Sequence, residues 1–192
     1  MATQVFIDVD GCISPHPPHS GLSRTNAGWT GEWTDARVGP YDCLWSHDLV
    51  RELNVLSVLP NVQFNFLTSW EDHAREFLPS IGLDCSDWPF LTGVDGDSPG
   101  DWWKLRALQR AQPMVPLDRL VWIDDELNRQ PEALGWLKTL GVPVLAISPC
   151  PVTGLTPAHL ETIKTFVSGP AAALPHTNKY EQRYSFQGPQ ER

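Results

Sequence analysis

Positive charge is scarce in this chain: 14 Lys and Arg stand against 23 Asp and Glu, a formal net charge of −9. A protein that grips nucleic acid or an anionic membrane non-specifically carries the opposite balance, so the composition excludes that behaviour for the surface as a whole but not for a local groove. Long apolar runs are missing too. No stretch approaches the roughly 18 residues of a membrane span. The N-terminus has no charged segment leading into a long apolar one, which sets the expectation of a soluble, cytoplasmic protein. The four cysteines, Cys12, Cys43, Cys85 and Cys150, share no C-x-x-C spacing. Scattered thiols suit a reducing compartment better than a disulfide framework. Cys12, His16 and His19 form a C-x3-H-x2-H cluster, but a fourth zinc ligand is missing and prolines interrupt the run; the competing reading is a plain polar loop.

At 192 residues with 41% hydrophobic content, the chain suits one medium domain with a core. QVFIDVD, residues 4–10, predicts a buried strand stopped by Asp-Gly. Residues 11–46, rich in Gly, Pro, Trp and Thr, show no sustained periodicity and are too long for an ordinary connection, which points to a small flap or cap inserted after strand 1. Helical spacing follows in 46–59, with Ser46 as cap, then a strand at 62–68 and a helix at 69–82 closed by Gly82. Further helices are expected at 99–112 and 131–141, strands at 119–125 and 142–148 (the last strand), and a final helix at 156–169 with Thr156 as cap and Pro157 in its first turn. This alternation predicts an α/β, Rossmann-like three-layer sandwich with a central parallel sheet. The domain would span 1–168, leaving 169–192, where Ala, Pro, Gln and Gly accumulate, as a flexible tail.

In such a sheet the ligand site lies beyond the carboxyl ends of the strands. Asp8 and Asp10 fall at one end, Thr68 and Ser69 at another, and Asp124 and Asp125 at a third. Crowded carboxylates repel unless a cation neutralises them, and a few hard oxygen ligands favour magnesium. Lys104, early in a predicted helix, would add a fixed positive charge. One carboxylate can then attack phosphorus while a second, two residues on, handles the protons. The bland alternatives are a cap and turn for Asp8 and Asp10, a plain strand end for Thr68, a solvated charge for Lys104, and capping of the next helix by Asp124 and Asp125.

DVDGC after an apolar strand, FNFLTS, a helical WWK and VWIDDE resemble, in order, the four motifs of the haloacid dehalogenase superfamily over roughly residues 4–150. More narrowly, FIDVDGCISP, LTSWEDHAREFLPSIGL and RLVWIDDEL are similar to the domains of that superfamily associated with bacterial and phage RNA-repair proteins. The resemblance implies Asp8 as nucleophile and metal ligand, and Asp10 as general acid/base lending its backbone carbonyl to the metal. It implies Thr68 as holder of phosphoryl oxygens, with Ser69 as its alternative, and Lys104 as stabiliser of nucleophile and phosphate. Asp125 is favoured over Asp124 as the direct metal ligand. Cys12 and Ile13 stand where many relatives have Thr or Val.

The expectation is therefore a magnesium-dependent phosphomonoester hydrolase acting on a nucleic-acid end, a nucleotide or a small metabolite. Arg24 and Arg37 are the segment's candidate contacts to substrate phosphate. The alternative is a non-catalytic binding or regulatory domain that uses Trp29, Trp33 and Trp45, whose competing role is to pack the flap onto the core. A phospho-acceptor receiver domain also clusters acids and a lysine at strand ends, but in a different order.

Overall fold

The computed structural model describes residues 2–16, 27–39, 41–93, 101–169 and 177–180. Its strands are β1 (Thr3–Ile7), β2 (Trp33–Val38), β3 (Tyr41–Ser46), β4 (Val62–Phe66), β5 (Arg119–Ile123), β6 (Val144–Ser148) and β7 (Thr177–Tyr180). Five of them make one parallel sheet in the order β4-β1-β5-β6-β7, and β2 pairs with β3 as an antiparallel hairpin. The helices are α1 (His47–Ser57), α2 (Asp72–Ser80), α3 (Trp103–Ala111), α4 (Pro131–Leu137) and α5 (Pro157–Ser168).

Strand alternation divides the core into two layers. Val5, Ile7, Phe66, Val121 and Ile147 belong to one apolar cluster with residues of α1, α2 and α5, whereas Phe6, Leu120, Trp122 and Ala146 belong to another with residues of α3 and α4. Helices therefore cover both faces, which is why β1, β5 and β6 are buried along their whole length and read as mostly apolar runs with polar residues only at their ends. This is an α/β fold with a central parallel sheet, compatible with the Rossmann-like expectation.

The predicted caps form. Ser46 Oγ accepts from the Leu49 N–H at 3.4 Å, and Thr156 closes a capping box with His159 ahead of Pro157. α2 begins at Asp72, not Ser69, because residues 69–71 form a tight turn with Glu71 at φ 45°. The segment 11–46, expected to be irregular, contains the β2–β3 hairpin, turned at Gly39 with φ 55°. Its pattern is hidden because no β2 side chain is buried and the strand shows no apolar alternation. The strand at 142–148 is not the last. β7, from the segment expected as a tail, adds to β6 from Leu145↔Thr177 to Ser148↔Tyr180, and its polar sequence TNKY carries no apolar strand pattern. No helix among the described residues is long and apolar enough to cross a membrane.

β1 lies inside the sheet, with β4 on one side and β5 on the other. The chain moves from β1 outward to β4 and then crosses back past β1 to β5, so the strand order reverses at β1. Ligand sites of open parallel sheets form at such a reversal, beyond the carboxyl ends.

Candidate functional site

The last rungs of the sheet place the candidate residues side by side. Asp8 N–H donates to the Ile123 carbonyl at 3.0 Å, Leu67 N–H to Ile7 at 2.9 Å and Asp124 N–H to Ile147 at 3.1 Å. Asp8, Thr68 and Asp124 thus leave neighbouring strands at one level, although 116 residues of sequence separate the first from the last.

Lys104 rises from the first turn of α3 into this row. Its Nζ donates to Asp8 Oδ2 and, at 2.7 Å, to Asp124 Oδ2, and all three side chains are almost fully buried. Burial works to lower the Lys104 ammonium, but the charges of Asp8 and then Asp124 overcome it and hold the group above the ordinary lysine range. Trp102 anchors the helix entrance by stacking on Trp122 of β5, with ring centroids 5.1 Å apart and planes 9° off parallel.

One ammonium does not balance the acids present. Asp8, Asp124 and Asp125 each offer a carboxylate oxygen within 4.8 Å of the others. Burial first, and the Asp8 charge second, push Asp124 up to about 7 against the pull of Lys104, and the same two causes push Asp125 up to about 6. Asp124 has both oxygens engaged, Oδ2 by Lys104 and Oδ1 by the Glu126 N–H at 2.9 Å. Among the described residues the Asp125 carboxylate has no hydrogen-bond partner. Crowded, buried carboxylates short of positive charge are what a hard divalent cation would relieve, so the chemistry of these three residues fits magnesium.

Gly11 makes room for that cluster. It adopts φ +64°, and a Cβ built there would lie 2.5 Å from Asp125 Cγ. Gly11→Ala therefore meets both a left-handed backbone cost of about 1–2 kcal/mol and the Asp125 carboxyl. The expected result is a folded chain in which Asp125 is displaced; if the three aspartates hold magnesium, its affinity falls about 10–100-fold, read from a magnesium titration of thermal stability.

Asp10 stands apart from the Lys104 network. Its Oδ2 accepts from the Trp70 indole N–H at 2.6 Å. Burial raises its carboxyl above the ordinary range, the Trp70 bond opposes that, and the Asp8 charge adds to it. A carboxyl held above its ordinary range and fixed by a hydrogen bond suits proton transfer. Thr68 is buried and its Oγ1 accepts from the Trp70 backbone N–H at 3.4 Å, leaving its own proton to donate; Ser69 beside it is exposed. The chain then lines a cleft of about 270 Å³ formed with Glu71, Asp72, Arg75 and Phe90, where the Arg75 guanidinium lies 4.2 Å over the Phe90 ring.

The remaining sequence candidates fall elsewhere. Arg37 is exposed on β2, its Nε directed to the Gly39 carbonyl at 3.5 Å. Arg24 and His19 lie outside the described residues. Cys12 is fully buried with its thiol pushed well up by burial, and the metal-ligating side chains that converge among the described residues are the three aspartates rather than a Cys12–His16 pair. Trp45 is buried edge-on against Phe77 at 5.3 Å, and the Trp29 indole donates to the Leu155 carbonyl at 2.7 Å, so both tie their segments to the body of the protein. Sequence reasoning missed Trp70, whose position reads as an ordinary apolar one, and Ser148, whose Oγ donates to the Asp125 carbonyl at 2.9 Å and accepts from Asn128 N–H. No family model, no curated protein and no solved structure matches the chain.

Proposed function

We propose that this protein is a magnesium-dependent phosphomonoester hydrolase that works through a phosphoryl group carried on Asp8. The observation that supports this reading best is the buried Asp8–Lys104–Asp124 network, with Asp125 within reach and Thr68 and Asp10 at the adjoining strand ends. Neutral burial of apolar residues would be simpler for stability, since buried ion networks seldom improve on it.

An Asp8 carboxylate oxygen attacks phosphorus, and the bond from phosphorus to the leaving oxygen breaks. Asp10 gives that oxygen its proton. Asp10, now a carboxylate, takes a proton from water as the water attacks phosphorus, and the bond to Asp8 breaks to release phosphate. Thr68 and Lys104 bind the phosphoryl oxygens and oppose their growing charge. Asp8 and Asp125, with Asp124 beside them and the Asp10 backbone carbonyl, would hold magnesium, which supplies further charge neutralisation to the transferring group.

The β2–β3 hairpin would serve as the flap of this site. The Leu44 N–H of β3 donates to Ser14 Oγ at 3.1 Å, and Ser14 is bridged to Asp10, so the hairpin is tied to the loop that carries the acid/base. Arg37, with Arg24, would meet the parts of a phosphorylated substrate that extend beyond the buried cluster.

The test is a screen of aryl phosphates, nucleotides, sugar phosphates and oligonucleotides phosphorylated at either end. Turnover that EDTA abolishes and magnesium restores is expected. Zinc restoring more activity than magnesium would contradict an all-oxygen site, and inertness toward every phosphomonoester would favour a non-catalytic binding domain.

A further inference from the structure

Asp10 needs more than proximity to do its work. A carboxyl that transfers a proton must present one particular oxygen to the leaving group, and a side chain on a loop beyond a strand end has freedom to rotate. We infer that Trp70 is the positioning residue for Asp10, and that it orients Asp10 and Thr68 together. This role rests on the phosphatase reading above.

Three observations carry it. The indole N–H donates to Asp10 Oδ2 at 2.6 Å, and Trp70 is only 1% exposed, so the donor is shielded from water while Asp10 itself is half-buried. An indole N–H can donate but never accept. Oδ2 is therefore held as an acceptor in either protonation state, and the proton that Asp10 transfers resides on Oδ1. The second observation is that the same residue's backbone N–H binds Thr68 Oγ1 at 3.4 Å. One residue thus fixes the direction of a phosphate-binding hydroxyl and of the acid/base.

The third is what holds the indole. Its ring lies 5.8 Å from that of Phe77 on α2, and Phe77 in turn meets Trp45 of β3 edge-on at 5.3 Å. Three aromatic rings therefore run from the hairpin to the Asp10 carboxyl. Rigid aromatic packing of this kind limits rotation of the indole and hence of the carboxyl it holds.

Trp70→Phe keeps the aromatic packing and removes the donor. In the first half-reaction, loss of proton-donor orientation matters only where the leaving oxygen needs a proton. With magnesium present, Trp70→Phe is expected to lower kcat/KM, which reports that half-reaction, about 10–100-fold on an alkyl phosphate, and to leave kcat/KM for dinitrophenyl phosphate nearly unchanged. In an Asp10→Ala background the same change should have no further effect. A loss of kcat/KM equal for good and poor leaving groups, or additive with Asp10→Ala, overturns the positioning role while leaving the phosphatase reading intact. Should Trp70→Phe not fold, the indole N–H resonances of Asp10→Ala decide: one of them is expected to move strongly against the wild-type spectrum, and an unchanged set overturns the inference. A wild-type chain inert on every phosphomonoester overturns the underlying reading and, with it, any role for Trp70 in catalysis.

Discussion

Replacing Asp8 with asparagine is expected to reduce phosphomonoester turnover by on the order of 10⁴–10⁶-fold, the scale seen when a covalent nucleophile is removed, while the chain stays folded. The carboxylate contributes both its charge and its attacking electron pair, and an amide supplies neither. The structural cost is small by comparison. Asp8 Oδ1 accepts from the Val9 N–H at 2.7 Å and Oδ2 from Lys104. Asparagine has one acceptor oxygen, so one of these two donors loses its partner. Against that, one of three crowded acids is neutralised, which eases the repulsion that raises Asp124 and Asp125. Circular dichroism and a melting curve close to wild type, alongside the kinetic collapse, are the expected pair of results. Near-normal turnover in a folded Asp8→Asn chain would remove the covalent mechanism.

Lys104→Met should damage both stability and activity. The thioether fills much of the same volume and leaves Asp8 and Asp124 buried without their shared ammonium. Breaking a buried ion network from one side typically costs about 3–5 kcal/mol, and denaturant unfolding without magnesium at neutral pH should show a loss of that size. The sign of its pH dependence follows from the acids left behind. Asp124 and Asp125 are already raised in the folded state against the pull of Lys104, and without the ammonium they rise further above their values in the unfolded chain. The folded state then binds more protons, and stability falls as pH rises from about 4, the ordinary carboxyl range, through the raised folded values. The deficit should therefore shrink on acidification and on adding magnesium. Turnover should fall about 10²–10³-fold even with saturating magnesium, because a preorganised positive group is missing where phosphoryl charge develops. A variant as stable and active as wild type would reduce Lys104 to a bystander.

The candidate site was legible because its residues lie at positions that sequence patterns locate well. An apolar run marks a buried strand, and the residue where it stops marks the strand's end, so the sequence alone puts Asp8, Thr68 and Asp124 at the carboxyl ends of their strands. Lys104 was legible as a helix residue near apolar Trp102 and Trp103, but its bridging of two carboxylates was not, since nothing local encodes which residue lies across a sheet. Trp70 was hidden for a different reason: its indole has one donor atom on a large apolar body, and only the partner distinguishes a positioning role from core packing. Gly11 reads as turn chemistry after Asp10, and only the approach of Asp125 shows that a side chain there would collide. The hairpin and β7 escaped detection because their partners supply the order. The exposed residues of β2 and the polar TNKY segment have no amphipathic signature, and they become strands through pairing with β3 and β6.

The most direct test is to look for phosphate on Asp8 itself. In the proposed mechanism Asp10→Asn leaves the nucleophile in place and removes the base that activates water, so attack on an activated aryl phosphate should outrun hydrolysis of the intermediate. Mixing Asp10→Asn protein, magnesium and nitrophenyl phosphate, quenching in acid and mapping peptides by mass spectrometry should show a burst of nitrophenol and a phosphoryl group on the peptide containing Asp8, absent from the Asp8→Asn, Asp10→Asn double variant. Steady hydrolysis by the Asp10→Asn protein with no burst and no phosphorylated peptide, or phosphate found on another residue, would contradict the assignment of Asp8 as the nucleophile.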